Sequence, residues 1–268
     1  MEFEAEQQRS GPPHSTLGRY VAIVLYMTHT ELRAESERTY MGYLWWIAEP
    51  LVSLVVYYVV FGLVLIRAID NYVAFLFVGL VPWRWLNSTL MHGSASILKA
   101  KGLMRQVYLP KLIFPLVAIL ADSAKFFVVF LVVIGFAVVS GFPVTWSYLL
   151  LPAVILVQGL LIIGVTLIAA AVTPFLPDFR IVLENLVRLW FFLSGIFYEV
   201  SAFPENVQLV FRLNPMVSII ESYRAILLHG EIPDLSALGV TAVLCAGLCY
   251  VGARVVQAHD FSYPKLAL

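Results

Sequence analysis

From Phe126 to Pro177 the chain runs for 52 residues without one Asp, Glu, Lys or Arg. As a single α-helix this run would be about 78 Å long at 1.5 Å per residue, whereas the hydrocarbon core of a bilayer is about 30 Å thick. It is too long for one crossing and too apolar to stay in water. Ser140-Gly141-Phe142-Pro143-Val144-Thr145 carries the Gly and Pro punctuation of a turn, so the run divides into two spans, one ending near Val139 and one starting near Trp146. Composition extends the reading to the whole chain. Of 268 residues, 61% are hydrophobic and 13% charged, with a mean hydropathy of +0.88, against roughly 45–50% and 25% in soluble domains. The fold class is an all-α membrane protein.

A spanning helix needs about 20 mostly apolar residues. Six stretches meet or approach that length, at about 40–66, 72–97, 112–139, 146–172, 181–200 and 235–253. The first is interrupted near its start by Glu49-Pro50, and the second contains Pro82 and Arg84. Orientation follows from Lys and Arg in the short loops. The loop after the second span holds Lys99, Lys101, Arg105 and Lys111, and the N-terminal segment holds Arg9, Arg19, Arg33 and Arg38. Both belong on the cytoplasmic side. The other side then receives Arg67, Arg212 and Arg224 against Asp70, Glu199, Glu205, Glu221, Glu231 and Asp234. The resulting organisation is a cytoplasmic tail and interfacial helix (1–39), a six-span domain (40–256) and a cytoplasmic tail with Lys265 (257–268). Because Met1 to Gln8 is acidic and polar, no cleaved leader is expected.

Two segments are apolar but too short to cross. Leu17, Tyr20, Val21, Val24 and Leu25 recur at helical spacing ahead of the charged stretch Glu31 to Arg38. This pattern reads as an amphipathic helix lying in the cytoplasmic interface, or as an extension packed on the bundle. Between the fifth and sixth spans, residues 207–213 and 216–228 flank Asn214-Pro215, a turn initiator with Pro suited to the next helix start. They read as two short helices that dip into the outer leaflet or cap the bundle. The alternative is an ordinary external loop.

Several functions are excluded. Lys plus Arg and Asp plus Glu both number 17, so there is no basic excess for nucleic acid. There is no Gly-x-x-x-x-Gly-Lys-Ser/Thr phosphate loop and no His-Glu-x-x-His or Gly-x-Ser-x-Gly motif. Cys245 and Cys249 give no metal-ligand set and read as packing residues. His92-Gly-Ser94 lacks a third catalytic partner. No catalytic or metal residue is assigned.

The remaining signals lie within the spans. Asp122 and Lys125, three apart, can pair on one helix face. Arg84, between Trp83 and Trp85, either pairs with a carboxylate such as Glu49 or borders an aqueous path, and spacing does not choose. On the fifth span, at 100° per residue, Arg188, Phe191, Phe192, Gly195 and Glu199 share a sector of about 100°, with Trp190 and Phe197 nearly opposite. On the first, Trp46, Ser53, Tyr57 and Phe61 share one side. Such stripes suit either a glycan path, through stacking on sugar rings, or packing against lipid and neighbouring helices. Ala242, Ala246 and Cys249 offer a small-residue face on the sixth span.

The interfacial helix, Arg38-Thr-Tyr-Met-Gly-Tyr-Leu-Trp-Trp-Ile-Ala-Glu-Pro50 opening the first span, the basic loop after the second, and Asn214-Pro215 followed by Glu221-Ser-Tyr-Arg224 resemble the permease subunit of bacterial polysaccharide-export ABC transporters. That family exports O-antigen, capsule and teichoic acid. The resemblance implies a homodimer in the inner membrane with two copies of a separate ATPase. That subunit holds ATP and Mg, so this chain carries no cofactor of its own. It also implies a lipid-linked polysaccharide as cargo, with membrane lipids and periplasmic export proteins as further partners. A coupling segment at about 96–107 with Lys99, Lys101 and Arg105 would dock on the ATPase. An external gate at about 205–228 would include Asn214, Pro215, Glu221 and Arg224. The first and fifth spans would line the conduit, which adds Arg84, Arg188, Phe191, Phe192 and Glu199 to Trp46, Tyr57 and Phe61.

Overall fold

The computed structural model describes residues 16–65, 71–107, 109–176 and 178–258. Arg9, Arg67, Asp70 and Lys265, named above for orientation, lie outside them. All regular structure among the described residues is helical. Helix α1 (Thr16–Glu37) leads through a 3-10 turn (Gly42–Leu44) into α2 (Trp45–Tyr57), which continues as a wider π-helical stretch (Tyr58–Leu65). Then follow α3 (Tyr72–Ser94), the short α4 (Ser96–Lys99) and α5 (Lys101–Gln106), α6 (Ile113–Val139), and α7 (Leu151–Val172) after a 3-10 turn at Trp146–Leu150. The remaining described helices are α8 (Phe179–Phe192), α9 (Glu205–Arg212), α10 (Pro215–Arg224) with a π turn (Ala225–His229), and α11 (Leu235–Ala258).

Helix α3 is the axis of the bundle. Seventeen of its 23 residues are buried, against α6, α7, α2, α8 and α10. Gln158 on α7 binds the axis to the last third of the chain, donating to Pro82 O at 2.7 Å and accepting from Tyr223 Oη at 2.8 Å. Both amide groups of this buried side chain are thereby satisfied, as an apolar interior requires. Helices α7 and α11 run closely side by side. A Cβ on Gly164 would lie 2.9 Å from Cys249 N, and one on Gly252 would lie 3.0 Å from Gly164 O, so the small side chains permit backbone approach. The buried face of α11 is Leu238, Thr241, Cys245, Gly252 and Val256. This corrects the expected small-residue face, since Ala246 is exposed and Ala242 only half-buried.

Tyr20, Ile23, Val24 and Met27 of α1 pack on a cluster containing Phe114 and Val117 of α6. Val21, Leu25 and Tyr26 stay exposed on the other side. The helix thus lies along the bundle and still presents an uncovered apolar strip. Ile97 and Met104 anchor α4 and α5 in the same cluster, beside Leu167 and Val256.

Among the described residues five segments are long and apolar enough to cross a membrane, Gly42–Gly62, Tyr72–Ser94, Ile113–Val139, Trp146–Val172 and Leu235–Ala258. The fifth predicted span is not one helix. Its α8 portion has 14 residues, about 21 Å at 1.5 Å per residue, and the chain then turns through Gly195 in the left-handed region (φ +66°). A break inside an apolar bundle exposes carbonyls that must find donors, and side chains supply them. Tyr198 Oη donates to Phe192 O (2.7 Å), Asn214 Nδ2 to Leu193 O (2.9 Å), and Tyr72 Oη to Phe197 O (3.1 Å). Arg224 donates to Gly195 O and Ile196 O, both at 2.8 Å.

The two short helices beyond the break, α9 and α10, meet at Asn214. Asn214 caps α10 by accepting from Met216 N, and it also accepts from Trp190 Nε1 at 2.8 Å. Trp190 packs edge-on against Trp83 in the middle of α3. From that mid-bundle turn α10 climbs to Gly230, whose carbonyl accepts from Thr145 in the loop between α6 and α7. Helix α10 is core, with Met216, Ile219, Ile220 and Tyr223 fully buried, whereas α9 leaves Leu209, Val210 and Leu213 exposed. Three short helices therefore follow one another where one long helix was expected.

Candidate translocation groove

A cavity of about 410 Å³ opens between α2, α3 and α8. Ser53 and Tyr57 border it from α2, Arg84 and Asn87 from α3, and Arg188 and Phe191 from α8. Pro50, Trp83, Arg180 and Glu184 complete the polar and aromatic part of its wall. Along α8 the lining runs from Arg180 to Phe191, about 16 Å of rise. The groove therefore begins near the end of the bundle that carries Lys99 and Lys101 and stops at mid-bundle.

There it is closed by stacked rings. Phe197 lies 4.2 Å from Phe61, 5.2 Å from Tyr57 and 5.0 Å from Phe191, centroid to centroid, the last two within the favourable range of about 4.5–7 Å for aromatic pairs and the first a closer stack. The helical-wheel expectation placed Phe197 and Trp190 opposite Phe191. The reversal at Gly195 instead folds Phe197 back onto that face, and Trp190 reaches Asn214 and Trp83. A wheel fails wherever the helix has already ended.

The charges of the groove are mostly paired. Arg84 forms an ion pair with Glu49 and also lies on the groove wall, so the two alternatives drawn from the sequence hold together. Arg180 Nε lies 3.3 Å from Glu184 Oε1. Among the described residues Arg188 has no ion-pair partner, and it is exposed. Chemically the groove offers ring faces, one amide, the hydroxyls of Ser53 and Tyr57 and a free guanidinium, the groups that sugar hydroxyls and an anion require.

Of the residues assigned to the path by sequence, Tyr57, Arg84, Arg188 and Phe191 line this groove. Phe61 and Phe192 belong to the ring cluster above it. Trp46 borders a smaller neighbouring cavity. Glu199 is exposed beyond the break, with Ser201 Oγ 3.4 Å from its Oε2. Sequence reading missed Asn87, Trp83, Arg180, Glu184 and Phe197. Arg180, Glu184 and Arg188 recur every four residues, a signal that could have shown the charged stripe. Nothing local marks Phe197.

Lys99 ends α4 and is exposed, Lys101 begins α5, and Arg105 lies on α5. Of the expected gate residues, Asn214 and Pro215 form the mid-bundle turn. Glu221 borders a surface cavity with Arg212 and Asp234. Arg224 is buried, 3.4 Å above the Phe75 ring. The Asp122–Lys125 pair exists at 3.0 Å and extends to Glu35 of α1 and to His92, whose Nδ1 lies 2.8 Å from Asp122 Oδ2. Ser94 is fully buried and donates to Met91 O, so His92 and Ser94 form no nucleophilic pair.

A bundle of helices long and apolar enough to cross a membrane, with a polar and aromatic groove on one side, is the architecture of an integral membrane protein. The profile described as ABC-2 type transporter matches residues 23–228, and the chain belongs to that family. It is similar to the O-antigen export system permease protein RfbA of Myxococcus xanthus, at 28% identity over 91% of this chain and 94% of the relative. The protein of the same name from Klebsiella pneumoniae is 27% identical over 93% and 96%. The polysialic acid transport protein KpsM of Escherichia coli is 24% identical over 86% and 90%.

Proposed function

We propose that the chain is the transmembrane subunit of an ATP-driven exporter that carries a lipid-linked polysaccharide out of the cytoplasm. The observation that supports this most strongly is the groove of ring faces and a free guanidinium, in a chain similar along nine-tenths of its length to proteins named as polysaccharide-export permeases. ATP is bound and hydrolysed by a separate subunit present in two copies. The permease is a homodimer in the inner membrane with both termini cytoplasmic. The sixth crossing is made jointly by α8, the break and the α9–α10 pair.

On this reading the basic end faces the cytoplasm, and the open groove is the inward-facing state. Tyr57, Trp83 and Phe191 stack on sugar rings while Asn87 and Arg188 hold hydroxyl or acidic groups. The ring cluster around Phe197 closes the far end. The α4–α5 segment with Lys99, Lys101 and Arg105 transmits ATPase closure to α3. Nucleotide shifts the balance of inward and outward states only through its different affinity for each. The outer gate is the α9–α10 pair, Asn214 and Pro215 at its hinge and Glu221 and Arg224 on its inner helix. The test is removal of the chain from its native cell. Surface polysaccharide should vanish, lipid-linked glycan should accumulate inside, and the wild-type chain should restore both. Unchanged surface polysaccharide would overturn the assignment.

A further inference from the structure

Two more cavities adjoin the groove. One of about 100 Å³ lies between α2, α3 and α6 and shares Pro50 and Arg84 with the groove. Another of about 510 Å³ lies under α1 and shares Glu35, His92, Asp122 and Lys125 with the second. Together they lead from the rim at Arg38 and Lys99 to the aromatic groove.

At each junction a cation pairs with a more exposed carboxylate, and Lys125 holds a second, enclosed carboxylate, Asp122, which is 1% exposed. Lys125 is 15% exposed against 45% for Glu35, and Arg84 34% against 60% for Glu49. The two more exposed carboxylates sit on the outer elements, Glu35 on α1 and Glu49 on α2, so a small displacement of either element uncovers a cation without burying a charge. Asp122 lies about 15 Å along α6 from Leu112, roughly half the thickness of a hydrocarbon core. Charges at such depth mark pathways more often than they serve stability. The wall under α1 is amphipathic, with Phe114, Val117 and Ala118 apolar beside the cations Arg38, Lys99 and Lys125 and the carboxylates Glu31, Glu35 and Asp122. That combination fits a phosphate head with its hydrocarbon chain lying along α6.

We propose that these cavities form a lateral route by which the phosphate-bearing head of a lipid passes beneath α1 to the groove. Lys125 and then Arg84 exchange their more exposed carboxylate partner for a phosphate oxygen. Carboxylate and phosphate make equivalent charge-assisted hydrogen bonds to both side chains, so each step conserves ion pairing. The phosphate belongs either to the lipid carrier of the cargo or to a membrane phospholipid. The route rests on the export reading above.

The test is native mass spectrometry of the purified full-length chain with three probes: a polyprenyl diphosphate, phosphatidic acid and neutral diacylglycerol. Glu35→Gln keeps the Lys125–Asp122 bond and removes only the competing carboxylate. It should raise retention of a phosphate lipid about two- to fivefold, the factor a partly exposed ion pair controls, with diacylglycerol unaffected. Lys125→Gln should lower it. Preference for the diphosphate identifies the cargo carrier and preference for phosphatidic acid a resident phospholipid. Either result upholds the route. Unchanged or reduced retention in Glu35→Gln, or an equal response of diacylglycerol, would overturn it. Should the deletion test of export succeed while this one fails, the route alone is lost.

Discussion

Replacing Arg224 with Lys keeps its charge and removes its fork, and the structure gives the consequence a size and a sign. The guanidinium reaches Gly195 O and Ile196 O at 2.8 Å each and stands over Phe75. One ammonium cannot reproduce two fixed donor directions, so at least one buried carbonyl loses its donor, at about 1–3 kcal/mol. The cost of burying a cation with no ion-pair partner among the described residues is retained, and is larger for the more strongly hydrated ammonium. Arg224→Met also loses the carbonyl partners but relieves that cost of burial. The expected order of stability is wild type, then Met, then Lys. The assay is denaturant unfolding in detergent, followed by a thiol-reactive dye that reports exposure of buried Cys245. If Arg224 acted only as a positive charge, Lys would match wild type and Met would be worst. That inverted order would refute the clamp.

Gly195→Ala should cost about 1–2 kcal/mol, the penalty of a left-handed residue with a Cβ, measured in the same assay. Gln158→Leu leaves Tyr223 Oη without its acceptor in a buried site and should destabilise by about 1–3 kcal/mol, whereas Gln158→Glu should retain the Tyr223 bond and lose the one to Pro82. Asp234 caps α11 by accepting from Ser236 Oγ and from the Ser236 and Ala237 amides, and its carboxyl is held below the usual value, chiefly by the Ser236 hydroxyl and then by the Ala237 amide. Its contribution is complete above the ordinary carboxylate range near pH 4 and lost as pH falls through the depressed value, so an acid titration of stability should lose this component in Asp234→Ala. Arg188→Ala should lower export with the folded protein level unchanged, scored as surface polysaccharide per cell. Unchanged export would return Arg188 to the role of a solvated surface charge.

The long helices were legible because a charge-free run of fixed length has few ways to fold in a bilayer. Pro143 and Gly141 marked the right turn, and Asn214-Pro215 the start of α10. The fifth span was misread because Ile181 to Val200 has the length and apolarity of a crossing. Its break depends on donors distant in sequence, namely Tyr72, Asn214 and Arg224, whose partners no local pattern names. The groove was half legible for the same reason. Tyr57, Arg188 and Phe191 sit on intact helices, where angular periodicity holds, while Phe197 reaches the site by a reversal. Arg84 was recognisable as a cation inside an apolar span, yet its pairing with Glu49 needed the packing of α2 on α3.

The central claim is that glycan passes through the groove between α2, α3 and α8, and site-specific photocrosslinking in exporting cells tests it most directly. A photoreactive side chain at Asn87, inside the groove, is compared with one at Val243, exposed on α11, in cells whose polysaccharide carries a sugar label. The groove assignment predicts sugar label on the Asn87 protein during export and none on the Val243 protein. Label on Val243 alone, or equally on both, would contradict it.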